Sequence, residues 1–429
     1  MARQSFAEPP YVVATTPGMA DEMVDPATSE IRVEFSQVMS MRGHSICGGG
    51  PGFPELTGKP RWESARVLIV PVRLVPNHVY SMSFNCPAAM NFKSAAGEAL
   101  RITPLAFKTG EPGAKDVALA EAQVKGVLDT IERAIATRYS HREVHGADAA
   151  AIRQAVADRL GKGATRSQLA REIARALEPL NDAHIWLTCG EFALGTATGP
   201  SHVNFVPDRL QSALGVEVTR ASGAVWTATL GDGVRYVMIA NWNSGDAALL
   251  EPAREFIAKT PAECPGLIID VRPNGGGDEL AARSVAALLV DQPTVYARND
   301  RVDPESPAGF TEVFDRVIEP AAARPPKPAK IAVLIGPACM SSNESFIQMM
   351  RHGARARLFG ERTRGSSGNP QPHELCEGLT LMLPSWRDME PDGQLIEGRG
   401  IEPDVTVQWN DAGKGDPVVE AAIAWIRGG

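Results

Sequence analysis

Apolar positions between residue 10 and about residue 111 come in short runs rich in β-branched and aromatic side chains. They are Tyr11-Val-Val-Ala-Thr-Thr, Glu30-Ile-Arg-Val-Glu-Phe, Arg66-Val-Leu-Ile-Val-Pro and His78-Val-Tyr-Ser-Met-Ser-Phe. Gly, Pro and Asn separate them, which predicts short strands joined by turns and packed as a sandwich. Glu111-Pro-Gly-Ala-Lys115 reads as a linker. From Val117 to about Leu180 the period becomes helical. Val124, Val127, Leu128 and Ile131 mark one helix, and 150–160 and 167–177 mark two more, with Ser167 as a helix start.

Beyond about residue 185, strands and helices alternate. Arg235-Tyr-Val-Met-Ile-Ala predicts a strand and 247–260 a helix. Leu267 to Val271 predicts a buried strand, 279–290 a helix, Ile331 to Ile335 another buried strand and 341–352 another helix. Continuous apolar strands between amphipathic helices indicate an α/β layer with a largely parallel sheet. The expected chain is multidomain: an all-β unit over 1–111, a helical segment over 112–184 and an α/β core over 185–429.

Composition narrows the function classes. The chain has 429 residues, 44% hydrophobic and 22% charged, and a formal net charge of −8. A packed core follows, and neither nucleic acid nor an anionic membrane is the expected main partner. No apolar run reaches the roughly 18 residues needed to span a bilayer. The first residues lack the apolar stretch of a secretory signal, so the expectation is a cytoplasmic protein, or a periplasmic or extracellular one whose leader was trimmed. Six cysteines without a CxxC pair do not form a zinc-binding pattern, and no metal or cofactor is expected. A Cys47–Cys86 bridge is one pairing left open.

Two segments carry candidate chemistry. Gly266-Leu-Ile-Ile-Asp-Val-Arg-Pro-Asn-Gly-Gly-Gly277 ends a strand in a glycine turn. Ile331-Ala-Val-Leu-Ile-Gly-Pro-Ala-Cys-Met-Ser-Ser-Asn-Glu344 places Ser341 at a helix start. Ser341 to Glu344 also fits an ordinary capping box, and the glycines fit an ordinary tight loop. In the functional reading Ser341 is a nucleophile, and the amides of Gly275 or Gly276 and of Ser342 form an oxyanion hole.

These segments resemble the core of the tail-specific (C-terminal processing) serine peptidases and their tricorn-core and interphotoreceptor-retinoid-binding relatives. That family has a Leu-Ile-x-Asp-x-Arg-x-Asn-x-Gly-Gly strand and turn, then Ser-x-x-Glu, Gly-Glu-x-Thr-x-Gly and Glu-x-x-Gly-x-x-Pro-Asp. Here the matching stretches are Leu267–Gly277, Ser341–Glu344, Gly360-Glu-Arg-Thr-Arg-Gly365 and Glu397-Gly-Arg-Gly-Ile-Glu-Pro-Asp404. Leu180-Asn-Asp-Ala-His184 resembles the family's Leu-x-Asp-x-His. The resemblance implies a crotonase/ClpP-like α/β core and serine peptidase activity on peptide or unfolded protein. The alternative is a catalytically silent peptide- or lipid-binding protein on the same fold. Acyl-CoA chemistry, which the crotonase-like architecture also hosts, fits the motifs less well.

The processing peptidases place a lysine base about 25 residues after the serine. Here that stretch reads Gly365-Ser-Ser-Gly368, and the only lysine after Ser341 is Lys414. The tricorn-like branch uses His and Glu, which makes His184 the expected general base and Glu397 its orienting acid, with Asp182 or Glu402 as substitutes. Ala183 stands where that branch has a relaying serine. Asp270, Arg272 and Glu344 are expected to form a supporting salt-bridge cluster. His373 is expected in an exposed loop, and residues 190–265 show no PDZ-like motif. The first 111 residues resemble a bacterial Ig-like module through Pro10–Pro17, Ile31-Arg-Val-Glu-Phe-Ser-Gln-Val-Met39 and Phe107-Lys-Thr-Gly110. That resemblance implies a protein or glycan partner for the module.

Overall fold

The computed structural model describes residues 9–197, 202–243, 245 and 247–428. The predicted α/β layer is a seven-stranded sheet. Its strands run in the order Thr219–Arg220, Val225–Thr229, Arg235–Ile239, Leu267–Asp270, Ile331–Ile335, Arg357–Gly360 and Val405–Thr406. The last five are mutually parallel and the first two pair antiparallel. Alternate residues of each strand enter opposite layers. Leu267 and Ile269 join one apolar cluster with the helices Glu251–Ala258, Glu279–Ala286 and Ser342–Gln348. Ile268 joins a second cluster with Pro207–Leu214 and Pro417–Ile426 on the other face. Both faces are covered, which is why these strands read as unbroken apolar runs.

The helices Glu121–Arg138, Ala149–Arg159 and Arg166–Leu177 pack on a four-stranded antiparallel sheet. Its strands, Phe192–Gly195, Trp186–Cys189, Leu379–Leu383 and Gln371–Cys376, bring residues near 186 beside residues near 380. The third helix starts one residue before the expected Ser167. Thr165 is its N-cap, in a capping box with Gln168. His373 lies half-buried in the strand Gln371–Cys376, not in an exposed loop. A three-stranded sheet, Phe314–Ile318, Thr294–Arg301 and Trp386–Met389, completes the C-terminal part.

Residues 12–108 form two small antiparallel sheets over one cluster that includes Phe35, Phe84, Phe92 and Phe107. The strands Val12–Thr16, Glu30–Phe35, Val67–Arg73 and Val79–Phe84 fall on the four predicted runs. Cys47 and Cys86 are bridged, with their Cα atoms 6.2 Å apart. Asp21 accepts from Arg171 Nη1 and from Ser167 Oγ, each at 2.7 Å, tying these sheets to the helical segment. No helix among the described residues is long and apolar enough to cross a membrane.

Candidate active site

Two parallel strands deliver the glycine turn and Ser341 to neighbouring positions at their C-terminal ends. Leu267–Asp270 runs into 271–277, and Ile331–Ile335 into 336–341. The two loops are stapled by Asn343, whose Nδ2 donates to the carbonyls of Val271 and Asn274, at 3.1 and 2.9 Å. Trp242 Nε1 donates to Asn343 Oδ1 at 3.1 Å. Ser342 Oγ donates to Gly277 O at 2.6 Å.

Packing dictates the glycines. Gly276 has φ +105°, and a Cβ there would lie 2.8 Å from Ser341 Cβ and 3.0 Å from Met340 O. Gly277 has φ +137°, and its Cβ would lie 2.5 Å from Trp242 O. A side chain at either place would push the turn off Ser341. The Gly276 amide is already engaged, donating to Asn274 Oδ1 at 2.8 Å. Gly275 is exposed in the same turn.

Ser341 sits at φ +59° and ψ −134°, a conformation that a residue with a Cβ holds only at a cost of about 1–3 kcal/mol. It precedes the helix Ser342–Gln348, yet its side chain makes no capping bond. The capping-box alternative therefore fails for this serine. Glu344 does not reach back to it but accepts from Thr363 Oγ1, from the Gly365 amide at 2.8 Å and from the Ser366 amide at 3.0 Å. Burial pushes the Glu344 carboxyl up to about 8, against those three donors, which hold it down.

Glu344 thus fixes residues 363–366, and Ser366 joins the serine to the histidine. Ser366 O accepts the Ser341 amide at 2.7 Å. Ser366 Oγ lies 3.0 Å from His184 Nδ1. Burial holds His184 below the usual imidazole range, opposed by the charges of Asp182 and Glu397. Asp182 Oδ1 accepts the His184 amide at 2.8 Å. So the group on His184 Nδ1 is neither Glu397 nor Asp182 but Ser366, 25 positions after Ser341.

Glu397 lies near but bonds elsewhere: to His145 Nε2 at 2.9 Å and to the Ser367 amide at 2.8 Å. Glu402 is exposed and pairs loosely with Arg362 at 3.6 Å. Asp270, Arg272 and Glu344 do not form one cluster. Arg272 is fully buried between Asp270 and Asp416, with both carboxylates held bidentately. Asp416 caps the helix Pro417–Ile426, so this triad locks the strand end to that helix, while Glu344 faces the 363–366 loop. A cavity of about 680 Å³ runs past Gly365, Ser366 and Glu397.

The sequence reading missed Ser366, Asn343, Asp416, His141 and His145. Ser366 had a signal: it lies in the Gly365–Gly368 stretch where a lysine base was sought, and its hydroxyl can hydrogen-bond.

Residues 233–407 match the model of peptidase family S41. That stretch is similar to family S41. The chain is 28% identical over 170 residues to the chloroplast C-terminal processing peptidase of Tetradesmus obliquus, covering 40% of this chain and 34% of that protein. It is 26% identical over 141 residues to a CtpA-like protein of Staphylococcus haemolyticus, covering 33% of this chain and 27% of that protein. The chain therefore spans about a third or less of these curated relatives. In fold, the chain resembles a candidate peptidase of Parabacteroides merdae (TM-score 0.62, 21% identity, 71% of this chain and 96% of that one). It also resembles mature CPAF (TM-score 0.51, 13% identity, 72% and 96%). At these identities the likeness is one of fold.

Proposed function

We propose that the chain is a serine endopeptidase acting through an acyl-enzyme on Ser341. The observation that carries this reading is the backbone of Ser341: a non-glycine residue at φ +59° opening a helix that its side chain does not cap. Such a turn presents a hydroxyl outward at the end of a parallel sheet, as a nucleophile elbow does.

In this mechanism His184 takes the proton from Ser341 Oγ as the hydroxyl oxygen attacks the scissile carbonyl. The bond to Ser366 selects the tautomer. With its proton on Nδ1 donated to Ser366 Oγ, the ring keeps the Nε2 lone pair for the serine. The imidazolium then protonates the leaving amine, and water hydrolyses the ester by the reverse proton path. The amide of Ser342 and that of Gly275 are the proposed oxyanion donors. The Gly276 amide is engaged by Asn274, so its part is close approach. Glu397 acts indirectly: it holds the Ser367 amide and adds negative charge near His184.

The unit over 1–111 is read as an Ig-like module that binds a protein or glycan and positions the peptidase, built from the helical part 112–184 and the core 185–429. Peptide-library cleavage by the wild type and by Ser341→Ala tests the activity. Cleavage that is abolished in the variant supports the reading. Equal cleavage by both, or none by either, removes it.

A further inference from the structure

The helix Glu121–Arg138 ends at Tyr139, and the chain enters a turn carrying His141 and His145. The His145 amide donates to the His141 carbonyl at 3.0 Å, so one helical turn separates the rings and both can face one point. Asp182 and Glu397 face the same point. His141 Nδ1 lies 3.2 Å from Asp182 Oδ2 and 3.5 Å from Glu397 Oε2. His145 Nε2 lies 3.8 Å from Asp182 Oδ2 and 2.9 Å from Glu397 Oε1. One ligand atom from each residue can be chosen so that all four lie within 4.8 Å of one another.

We propose that His141, His145, Asp182 and Glu397 bind a divalent transition-metal ion of the zinc class. A tetrahedral ion with bonds of about 2.0–2.1 Å to N and O has ligand–ligand edges of about 3.3–3.4 Å; the His–carboxylate approaches above, which reach Glu397 through both of its oxygens, run from 2.9 to 3.8 Å. The two carboxylates are 0% and 2% exposed, and each faces both imidazoles. A dication neutralises such a site, whereas an unpaired buried charge is costly.

The surrounding groups orient the set as outer-sphere partners do. Tyr139 donates its hydroxyl to Asp182 Oδ2 at 2.9 Å. The His184 and Ser367 amides each donate at 2.8 Å, to Asp182 Oδ1 and Glu397 Oε2. Leu180 supplies a backbone hydrogen bond to the His145 ring. His145 is 16% exposed and borders the 680 Å³ cavity, which gives an ion a route in. Since Asp182 and Ser367 adjoin His184 and Ser366, the ion would brace the wall of the candidate active site without touching the scissile bond.

The test is made in Ser341→Ala protein, so its outcome does not depend on peptidase activity. Chelator-stripped full-length protein is titrated with Zn2+ by calorimetry, and Co2+ is added as a spectroscopic probe. The expected result is one equivalent bound, tetrahedral Co2+ bands, and at least 100-fold weaker Zn2+ binding in His145→Ala. His145→Gln, which keeps a polar side chain, serves if the alanine variant fails to fold by circular dichroism. Binding that is absent, or unchanged in the folded variant, overturns the proposal.

Discussion

Ser366→Ala removes one hydroxyl and leaves the backbone that binds Ser341 and Glu344 in place. His184 is 5% exposed and its Nδ1 pairs with Ser366 Oγ at 3.0 Å. Without that acceptor the buried N–H loses its bond, at about 1–3 kcal/mol. If the bond selects the tautomer and fixes the ring at the transition state, the same energy appears in the barrier, as about 5- to 150-fold in kcat. KM should change little, because Ser366 acts through the base and not on the substrate. Steady-state kinetics on a cleaved peptide reads both constants, and circular dichroism checks the fold. A folded Ser366→Ala enzyme with kcat within twofold of wild type would refute Ser366 as the positioning residue of His184. The orienting role would then return to Glu397.

Other consequences follow from the same geometry. Gly276→Ala places a Cβ 2.8 Å from Ser341 Cβ at φ +105°, so thermal unfolding should show a loss of about 1–3 kcal/mol and the Ser341 reaction should fall at least tenfold. The His184 pKa is lowered by burial, so the acid limb of kcat/KM should lie below pH 6.5. As pH falls through 6.5 the unfolded chain takes up that proton first, so the His184 contribution to stability is lost in that direction. Potentiometric or NMR titration with an acid limb above 6.5 would contradict this. The Cys47–Cys86 bridge closes a loop of 39 residues, worth up to about 4 kcal/mol by chain entropy. Reduction should therefore lower the melting temperature of the N-terminal sheets, and Cys47→Ser should abolish the difference.

Much of the fold was legible because burial on both faces leaves a plain trace. Leu267–Asp270 and Ile331–Ile335 are apolar at nearly every position, and Glu30–Phe35 alternates as a half-buried strand should. Element ends were less legible. The expected helix over 247–260 is a short turn at Ala247–Leu249 and then Glu251–Ala258, because Pro252 suits only a first turn. The helix expected to reach His352 widens after Gln348 into a π turn. Ser341 and His184 could be named from motif and chemistry. Ser366, His141 and His145 could not be given partners, because their meaning comes from pairs 182, 41 and 252 residues apart in sequence. Local periodicity carries no information about such pairs. Counting cysteines alone for metal ligands also hid the histidine pair.

The central claim is that Ser341 is a nucleophile activated by His184. A fluorophosphonate probe followed by peptide mass mapping tests it in one measurement. Adduct is expected on Ser341 in wild type, with labelling reduced at least tenfold in folded His184→Ala. Absence of adduct on Ser341, or equal labelling in the His184 variant, would contradict it.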